Sequence, residues 1–598
     1  MNETIGIIPR AFRRRGVWVA CTLLLRAGLN FLGLAMLLPV LALVLDPGSL
    51  EGGGVLTRAY EGLGFASQRT FALAVCAAVV GVIVLKCLLG LWLARVERTY
   101  IYDLYRTLSR RLLVTYHDRG LPFVKASNSA VLARNVNVVC LAFAAGVLKP
   151  AAAIAAEAML LVLLFGALMW YTPLAALLAL AVFLPSIWLY YGLVRNRINR
   201  YGELENKAQR EKARLVAETF RGYADIEINN AFPMMLRQFD RAMDQVIRTR
   251  LRETAIGLLP QTFTEVGLAV GMALLVALSL GDGDGRAQML FGVFAVAALR
   301  LMPSVRNIMT GWTAIKYNRY TIGILRDAAA DCPPAPANPD CRDTPGPRST
   351  SAATVAPGNS GNSGNPAADT ASSPEKLPFR HEIAVRDLRF RFADGGRELF
   401  HGLSLTIRKG ERIGIRGASG AGKTTLFNLL LGLYEPSGGE IAIDGTPLTA
   451  ANRRAWQNRI GYVSQNLFIA DGSFAANVAL GIPAGEVDRE RVMQALRAAQ
   501  LGELVTGLAK GIDTHVGECG CRLSGGQRQR IGIARALYRQ ADVLFFDEAT
   551  SALDSRTEEE INRSIAGLAA RDAGLTLVVI AHRESSLEYC NRIITIGE

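Results

Sequence analysis

A chain of 598 residues is too long for one compact domain and suits two or three. Hydrophobic residues make up 51% and charged residues only 20%, against about 25% charged in soluble domains; this excludes both a wholly soluble enzyme and a disordered chain. Lys+Arg outnumber Asp+Glu by 66 to 52, a net charge of +14, which favours anionic partners such as phosphates and phospholipid head groups. The plainer source of the same excess is the positive-inside bias of a membrane protein.

Residues 1–16 are basic and precede an apolar run too long for a signal peptide, with no small-residue cleavage site close behind it. The run therefore reads as a retained first span. Six apolar stretches reach the roughly 20 residues that cross a bilayer: 17–45, 71–94, 141–169, 173–194, 256–280 and 288–310. Arg10, Arg13, Arg14 and Arg15 precede the first, and 95–134 and 195–252 are rich in arginine, whereas the other connections hold only Arg58, Arg69 and Arg286. The positive-inside rule then places both termini and the two long segments in the cytoplasm. Trp170 and Tyr171 fall at the opposite interface, where amphipathic rings are favoured. The long polar segments, such as 197–217, read as helices projecting from the spans as stalks, because structureless loops of that length are uncommon.

The nine cysteines are odd in number and four lie in or beside apolar stretches, which is not a secreted disulfide framework. His515, Cys519 and Cys521 fall within seven residues, but a structural zinc site needs a fourth ligand and none is near in sequence. The cluster reads as incidental. From 331 to 378 the chain turns to Pro, Ala, Ser, Gly, Asn and Thr, a flexible linker by composition. From 379 onward strand-like and helical runs alternate, as in an α/β domain.

Residues 412–416 form a strand-like run that enters G-A-S-G-A-G-K-T at 417–424. This is the phosphate-loop pattern G-x4-G-K-[ST]. Gly417, Gly420 and Gly422, with Ser419 between them, let backbone N–H groups turn around phosphate oxygens. Lys423 adds a point charge for the β- and γ-phosphates, and Thr424, followed by Thr425, offers a hydroxyl to Mg²⁺. Residues 425–434 are expected to be a helix whose N-terminus faces the anion. A second buried-strand run, 543–546, is closed by Asp547 and Glu548. The first suits the Mg²⁺ shell and the second suits polarising an attacking water.

Between these runs lies Leu523-Ser524-Gly525-Gly526-Gln527, followed by Arg528-Gln529-Arg530. On these residues the segment from Glu382 resembles the nucleotide-binding domain of ATP-binding-cassette proteins along nearly its whole length. The resemblance implies that Phe392 stacks on adenine, that Gln465 is the Q-loop residue reaching the metal and the catalytic centre, and that His582 is the switch histidine. It also makes Ser551-Ala552-Leu553-Asp554 the D-loop and likens 514–518 to the loop that exporters place against their membrane domain. Six spans with stalks ahead of one cassette look like a half-transporter of the exporter type. In that family Ser524, Gly525, Gly526 and Gln527 face the phosphate loop of the other cassette, so the chain is expected to act as a homodimer with both sites intact. The cofactors implied are ATP and Mg²⁺. One departure stands out: the chain stops at Gly597-Glu598, just after strand-like 592–596, where the family usually continues through another strand and a short helix. The hydrolytic residues all precede this point, so the departure bears on the packing of that edge.

The expected architecture is thus an all-α six-helix transmembrane domain (1–330), a linker (331–378) and an α/β ATPase domain (379–598). Arg26, Glu157, Glu265 and Arg300 lie inside proposed spans, where ionisable groups are costly and often mark a pathway; Lys86 lies nearer the cytoplasmic end, where it can snorkel. Arg26 and Arg300 are the candidate contacts for an anionic head group, the rival for Arg300 being a pair with Glu265. The patterns Ala298-Leu299-Arg300-Leu301-Met302-Pro303-Ser304 and Pro260-x4-Glu265 are similar to those of bacterial lipid-linked oligosaccharide flippases, as is Gly33-Leu34-Ala35-Met36 with Leu38-Pro39. The expected function is ATP-driven export of an amphiphilic, lipid-linked or otherwise anionic substrate across the bacterial inner membrane, among membrane lipids and with no nucleic-acid partner. Export of drugs, lipid A or peptides is the alternative; an ATP-gated channel or sensor is the alternative from another class, disfavoured by an intact Glu548. Doubling a flexible segment's length changes closure by only about 0.6 kcal/mol, so deleting 358–366 is expected to leave ATPase and transport rates near those of the intact chain. Abolished ATPase activity would show a docking role for the linker instead.

Overall fold

The structure is a computed structural model. It describes residues 6–35, 68–171, 173–279, 286–330, 376–392, 398–548, 556–561, 563, 574–581, 587–588, 590 and 591–597. The chain divides into two compact units, Met1–Pro347 and Arg348–Glu598. Of the linker expected at 331–378, all but 376–378 lies outside the described residues.

The first unit is helical: α1 (Arg10–Ala35), α2 (Gln68–Asp118), α3 (129–171), α4 (Pro173–Arg221), α5 (Phe232–Ser279), α6 (Arg286–Tyr317) and α7 (Tyr320–Ala330). Among the described residues, Phe12–Gly33, Thr70–Asp118 and Ser129–Trp170 are long and apolar enough to cross a membrane. The expected spans 173–194, 256–280 and 288–310 fall in α4, α5 and α6 as far as these are described. α2, α4 and α5 hold 51, 49 and 48 residues, about 75 Å each at 1.5 Å per residue, against a hydrocarbon core of about 30 Å. In each of these helices the apolar stretch therefore continues without a break into a polar stretch of helix.

Two details of this unit have no counterpart in the sequence pattern. α3 contains two π turns, Asn135–Val139 and Ala144–Leu148. The first buries Asn135, whose Nδ2 donates to the Tyr116 hydroxyl at 3.0 Å; the second brings Gly146 against the Asn318 side chain. α4 and α6 run in the same sense, because Tyr190 meets Thr313 (2.5 Å between hydroxyls) and, further along both, Gly202 meets the Tyr317 carbonyl. The second contact leaves no room for a Cβ.

The second unit has two sheets. β1 (Glu382–Phe390), β2 (Phe400–Arg408), β4 (Gly438–Ile443) and β5 (Thr446–Pro447) form an antiparallel sheet in the order β2-β1-β4-β5. β3 (Arg412–Gly417), β6 (Ile460–Val463), β7 (Val543–Asp547), β8 (Thr576–Ile580) and β9 (Arg592–Ile596) form a wholly parallel sheet in the order β6-β7-β8-β3-β9. Parallel strands covered on both faces read as continuous apolar runs, and every residue of β7 is buried. α8 (Lys423–Leu430) follows β3, and Trp456, fully buried, donates its indole N–H to the Leu430 carbonyl at 2.8 Å. The helix expected at 425–434 thus starts two residues earlier and closes sooner. α9 (Gly525–Tyr538) packs beside β6.

A methyl group at Gly202 must push α4 from α6, while one at Gly192, on the same helix, meets nothing within 4 Å among the described residues. Overpacking of this kind typically costs about 1–3 kcal/mol. Gly202→Ala is expected to lower the thermal midpoint of the purified full-length protein by several degrees, with Gly192→Ala unchanged; equal midpoints would contradict the close approach.

Candidate functional site

In an open parallel sheet the loops beyond the carboxyl ends of the strands share one edge. Here β3 leads into 417–424, β6 into Gln465, β7 into Asp547 and Glu548, and β8 towards His582. Three of the four stretches of sequence expected to form the site are therefore brought to one edge by strand direction alone. His582 and the D-loop residues 551–554 lie outside the described residues.

The phosphate loop is shaped by glycines with positive φ, +84° at Gly420 and +94° at Gly422. Gly422 is the residue before α8 and has Leu399 and Phe400 against its α-carbon, so a side chain there has neither the conformation nor the space. Among the described residues nothing lies within 4 Å of a Cβ added at Gly420, which leaves room there for an anion. Lys423 is buried (6% exposed), and its ammonium donates to the carbonyls of Gly417 at 2.9 Å and Ala418 at 3.0 Å. The charge is thus clamped inside the loop, while the first N–H groups of α8 open towards the same space. Ser419 is exposed at the loop's tip, and Thr425 lies half-buried in the first turn of α8.

Thr424 and Asp547 converge: the hydroxyl donates to Asp547 Oδ1 at 3.4 Å, although 123 residues separate them. Hard oxygen donors of this kind are what a Mg²⁺ shell uses. Glu548 follows with φ +50°, a left-handed conformation uncommon outside glycine, and its N–H donates to the Ile580 carbonyl of β8 at 3.0 Å. The amide of Gln465 donates to Glu548 Oε2 at 2.7 Å, so the expected water-polarising carboxylate is oriented by the expected Q-loop residue. Tyr462, on β6, was not anticipated; burial, with the Asp547 charge adding to it, pushes its hydroxyl well above the usual tyrosine range and keeps it a neutral donor.

Phe392 is exposed (44%), with Phe390 and Tyr434 edge-on to it at 5.0 and 6.1 Å between centroids. An exposed ring braced by two others suits stacking against a flat base. Ser524 caps α9: its hydroxyl accepts from the Gln527 N–H at 3.2 Å and its own N–H donates to the Gln527 side chain at 2.9 Å. Gly525 and Gly526 make the first turn. Among the described residues no hydrogen bond joins Ser524–Gln527 to the phosphate loop. Arg535 of α9 donates to the Phe468 carbonyl, just past Gln465, at 3.0 Å.

In the membrane unit Arg26 donates to Glu97 Oε2 at 3.0 Å, a pair 71 residues apart. Glu157 accepts from Asn307 at 2.9 Å, and Glu265, which is exposed, accepts from Gln261 at 2.8 Å on its own helix. Arg300 lies in α6, with its side chain outside the described residues. Lys86 lays its stem over Gly33. Of the three residues weighed for zinc, His515 faces Asp471 at 3.5 Å, and among the described residues no group of three or more His, Cys, Asp or Glu is placed to hold a metal ion.

The model of the ABC transporter family matches residues 400–551. The ATP-dependent lipid A-core flippase of Burkholderia thailandensis is 30% identical over 553 residues, 90% of this chain and 84% of that one. The protein of the same description from Bordetella pertussis is 31% identical over 442 residues, 74% and 65% of the two chains. Among solved structures, a bacterial Atm1-family ABC exporter with ATP bound superposes with a TM-score of 0.72 at 22% identity, covering 98% of this chain and 94% of that one.

A hydrogen bond to a charged partner contributes about 1.5–3 kcal/mol, so Lys423→Ala is expected to weaken ATP binding by about ten- to a hundredfold in equilibrium titration. Glu548→Gln is expected to retain ATP binding and lose about 10²–10⁴-fold in hydrolysis. Normal turnover by Glu548→Gln would remove it from the role of general base.

Proposed function

Because the chain belongs to the ATP-binding-cassette transporter family, as a half-transporter of the exporter type that couples ATP hydrolysis to transport, we propose that it moves an amphiphile with an anionic saccharide head group outward across the bacterial inner membrane. One observation carries this reading: a nucleotide site and helices long enough to cross a membrane occur on one chain. A lipid-linked oligosaccharide is the proposed cargo; the lipid A-core flippases named above favour an acylated saccharide phosphate as the second.

The proposed mechanism uses two copies of the chain. Lys423 and the N–H groups at the start of α8 hold the β- and γ-phosphates, and Phe392 carries the base. Ser524 and Gly525 of the second copy present another helix start to the γ-phosphate, so each nucleotide is enclosed only when the two ATPase units meet. Thr424 and Asp547, with Gln465 beside them, are the residues that would hold a Mg²⁺, which supplies charge neutralisation at the phosphates when bound. Glu548, aligned by Gln465, takes the proton of the attacking water, and His582 is assigned to the γ-phosphate. The domain limits 1–330, 331–378 and 379–598 and a cytoplasmic location of the N-terminus and ATPase unit belong to the same proposal.

Arg300 and Arg26 are the proposed head-group contacts in the spans. A planar guanidinium can donate two bonds to one phosphate, and Arg26 retains donors beyond the one on Glu97, its side chain being 41% exposed. Proteoliposomes containing the purified protein are expected to flip a fluorescent lipid-linked oligosaccharide or acylated saccharide phosphate only with ATP; no flipping of either would sink the reading. Arg300→Ala is expected to cut substrate-stimulated ATPase at least tenfold while sparing basal hydrolysis. Transport recovered in Arg300→Ala with Glu265→Ala would assign Arg300 to a charge pair instead.

A further inference from the structure

Where the apolar stretches of α4 and α6 end, two rings meet: Tyr191 and Trp312 lie with centroids 3.8 Å apart and planes at 35°. The two helices run in the same sense, and each carries a cation one turn after its ring, Arg195 after Tyr191 and Lys316 after Trp312. Residues four apart share a helix face. The Lys316 ammonium stands 5.7 Å from the Trp312 centroid, and Arg319 follows in the turn beyond α6. Burial holds Lys316 below the usual lysine range, and the charges of Arg319 and then Arg195 push it the same way. Three cations therefore converge.

Among the described residues none of the three has an acidic partner. Beside Lys316, the Tyr317 ring carries the Arg250 guanidinium at 5.6 Å from its centroid, and that arginine binds Glu205 at 2.7 Å and reaches Glu253 at 4.0 Å. A helix C-terminus favours cations, which accounts for Lys316 and Arg319. It does not account for Arg195, which lies well inside α4. Like charges gathered without a counter-charge raise the folding free energy unless an anion joins them. Arg195 and Arg319 are exposed and Lys316 half-buried, so the cluster is open to a ligand from outside.

We propose that Arg195, Lys316 and Arg319, with Trp312 and Tyr191 as the apolar shelf, form a binding site for the phosphate of a membrane lipid head group. The residues sit just past 194 and 310, the ends of the apolar stretches that the arginine distribution assigns to the cytoplasmic side, so acyl chains lie along the apolar faces while the phosphate meets the cations. The site deepens the export reading, on which its purpose rests: it captures an anionic amphiphile at the membrane boundary before transport.

The test uses full-length protein in nanodiscs and native mass spectrometry, counting phosphatidylglycerol retained against phosphatidylcholine. Arg195→Gln with Lys316→Gln is expected to lose phosphatidylglycerol retention about tenfold, whereas Arg237→Gln with Arg241→Gln, an equal loss of charge elsewhere on the stalks, is not. Basal ATPase measures folding; if the double variant unfolds, Lys316→Met, which keeps the stem on Trp312, is measured alone. Inorganic pyrophosphate at millimolar concentration is expected not to displace the lipid. Retention unchanged in the variant, equal losses in both double variants, or displacement by pyrophosphate would each overturn the lipid-phosphate site. Retention lost as expected, in a protein that flips neither glycolipid in proteoliposomes, would sink the export reading and leave this site standing.

Discussion

The chemistry of this chain depends on the direction of five strands. β6, β7, β8, β3 and β9 are all parallel, so every strand ends on the same edge and every loop that leaves it can bear on one ligand. A reversal of β7 would carry Asp547 and Glu548 to the far side of the sheet. β7 is buried along its whole length, at the centre of the unit's core, and the helices between the strands, α8 among them, return the chain to the starting edge. The phosphate loop, its lysine and the carboxylates are consequences of that arrangement.

Much of the site was legible because it consists of local backbone demands. A glycine is needed where φ is positive, and Gly420 and Gly422 have that φ; a helix start needs a cap, and Ser524 with Gln527 supplies one. An apolar run ending in two acids marks a buried strand meeting a polar edge, as β7 does. What could not be read was partner choice over distance. Arg26 with Glu97, Thr424 with Asp547 and Gln465 with Glu548 join residues 71, 123 and 83 positions apart, and no periodicity encodes such pairs. The strand order was equally hidden: β8 enters between β7 and β3, which only the packed sheet decides. The π turns of α3 escaped because residues 136–148 are apolar nearly all round, so a shift in helical phase leaves no mark in the sequence.

The membrane unit obeys a different economy. Its long helices satisfy their own backbone, so the apolar stretches need no partner to enter lipid, and specificity falls to small contacts between helices. Gly202 against the Tyr317 carbonyl and Gly146 against Asn318 are of this kind. Polar pairs such as Tyr190 with Thr313 and Glu157 with Asn307 add hydrogen bonds where water is scarce. Glu97 is nearly buried, and Arg26 supplies the counter-charge that burial requires.

The position of β8 has a consequence for the order in which the ATPase unit is made. β3 with its phosphate loop and β7 with its carboxylates are synthesised first, yet they are not neighbours; the strand that joins them begins at Thr576. While a ribosome is still working through the residues before it, β6 and β7 can pair, but β3 has neither of its sheet neighbours, β8 and β9, so the loop has no fixed spacing from the carboxylates. Closing the gap requires contacts between segments far apart in the chain, which fold slowly. The nascent protein, with its first helices already emerged, thus carries both halves of an ATPase and cannot run it until β8 slides into place.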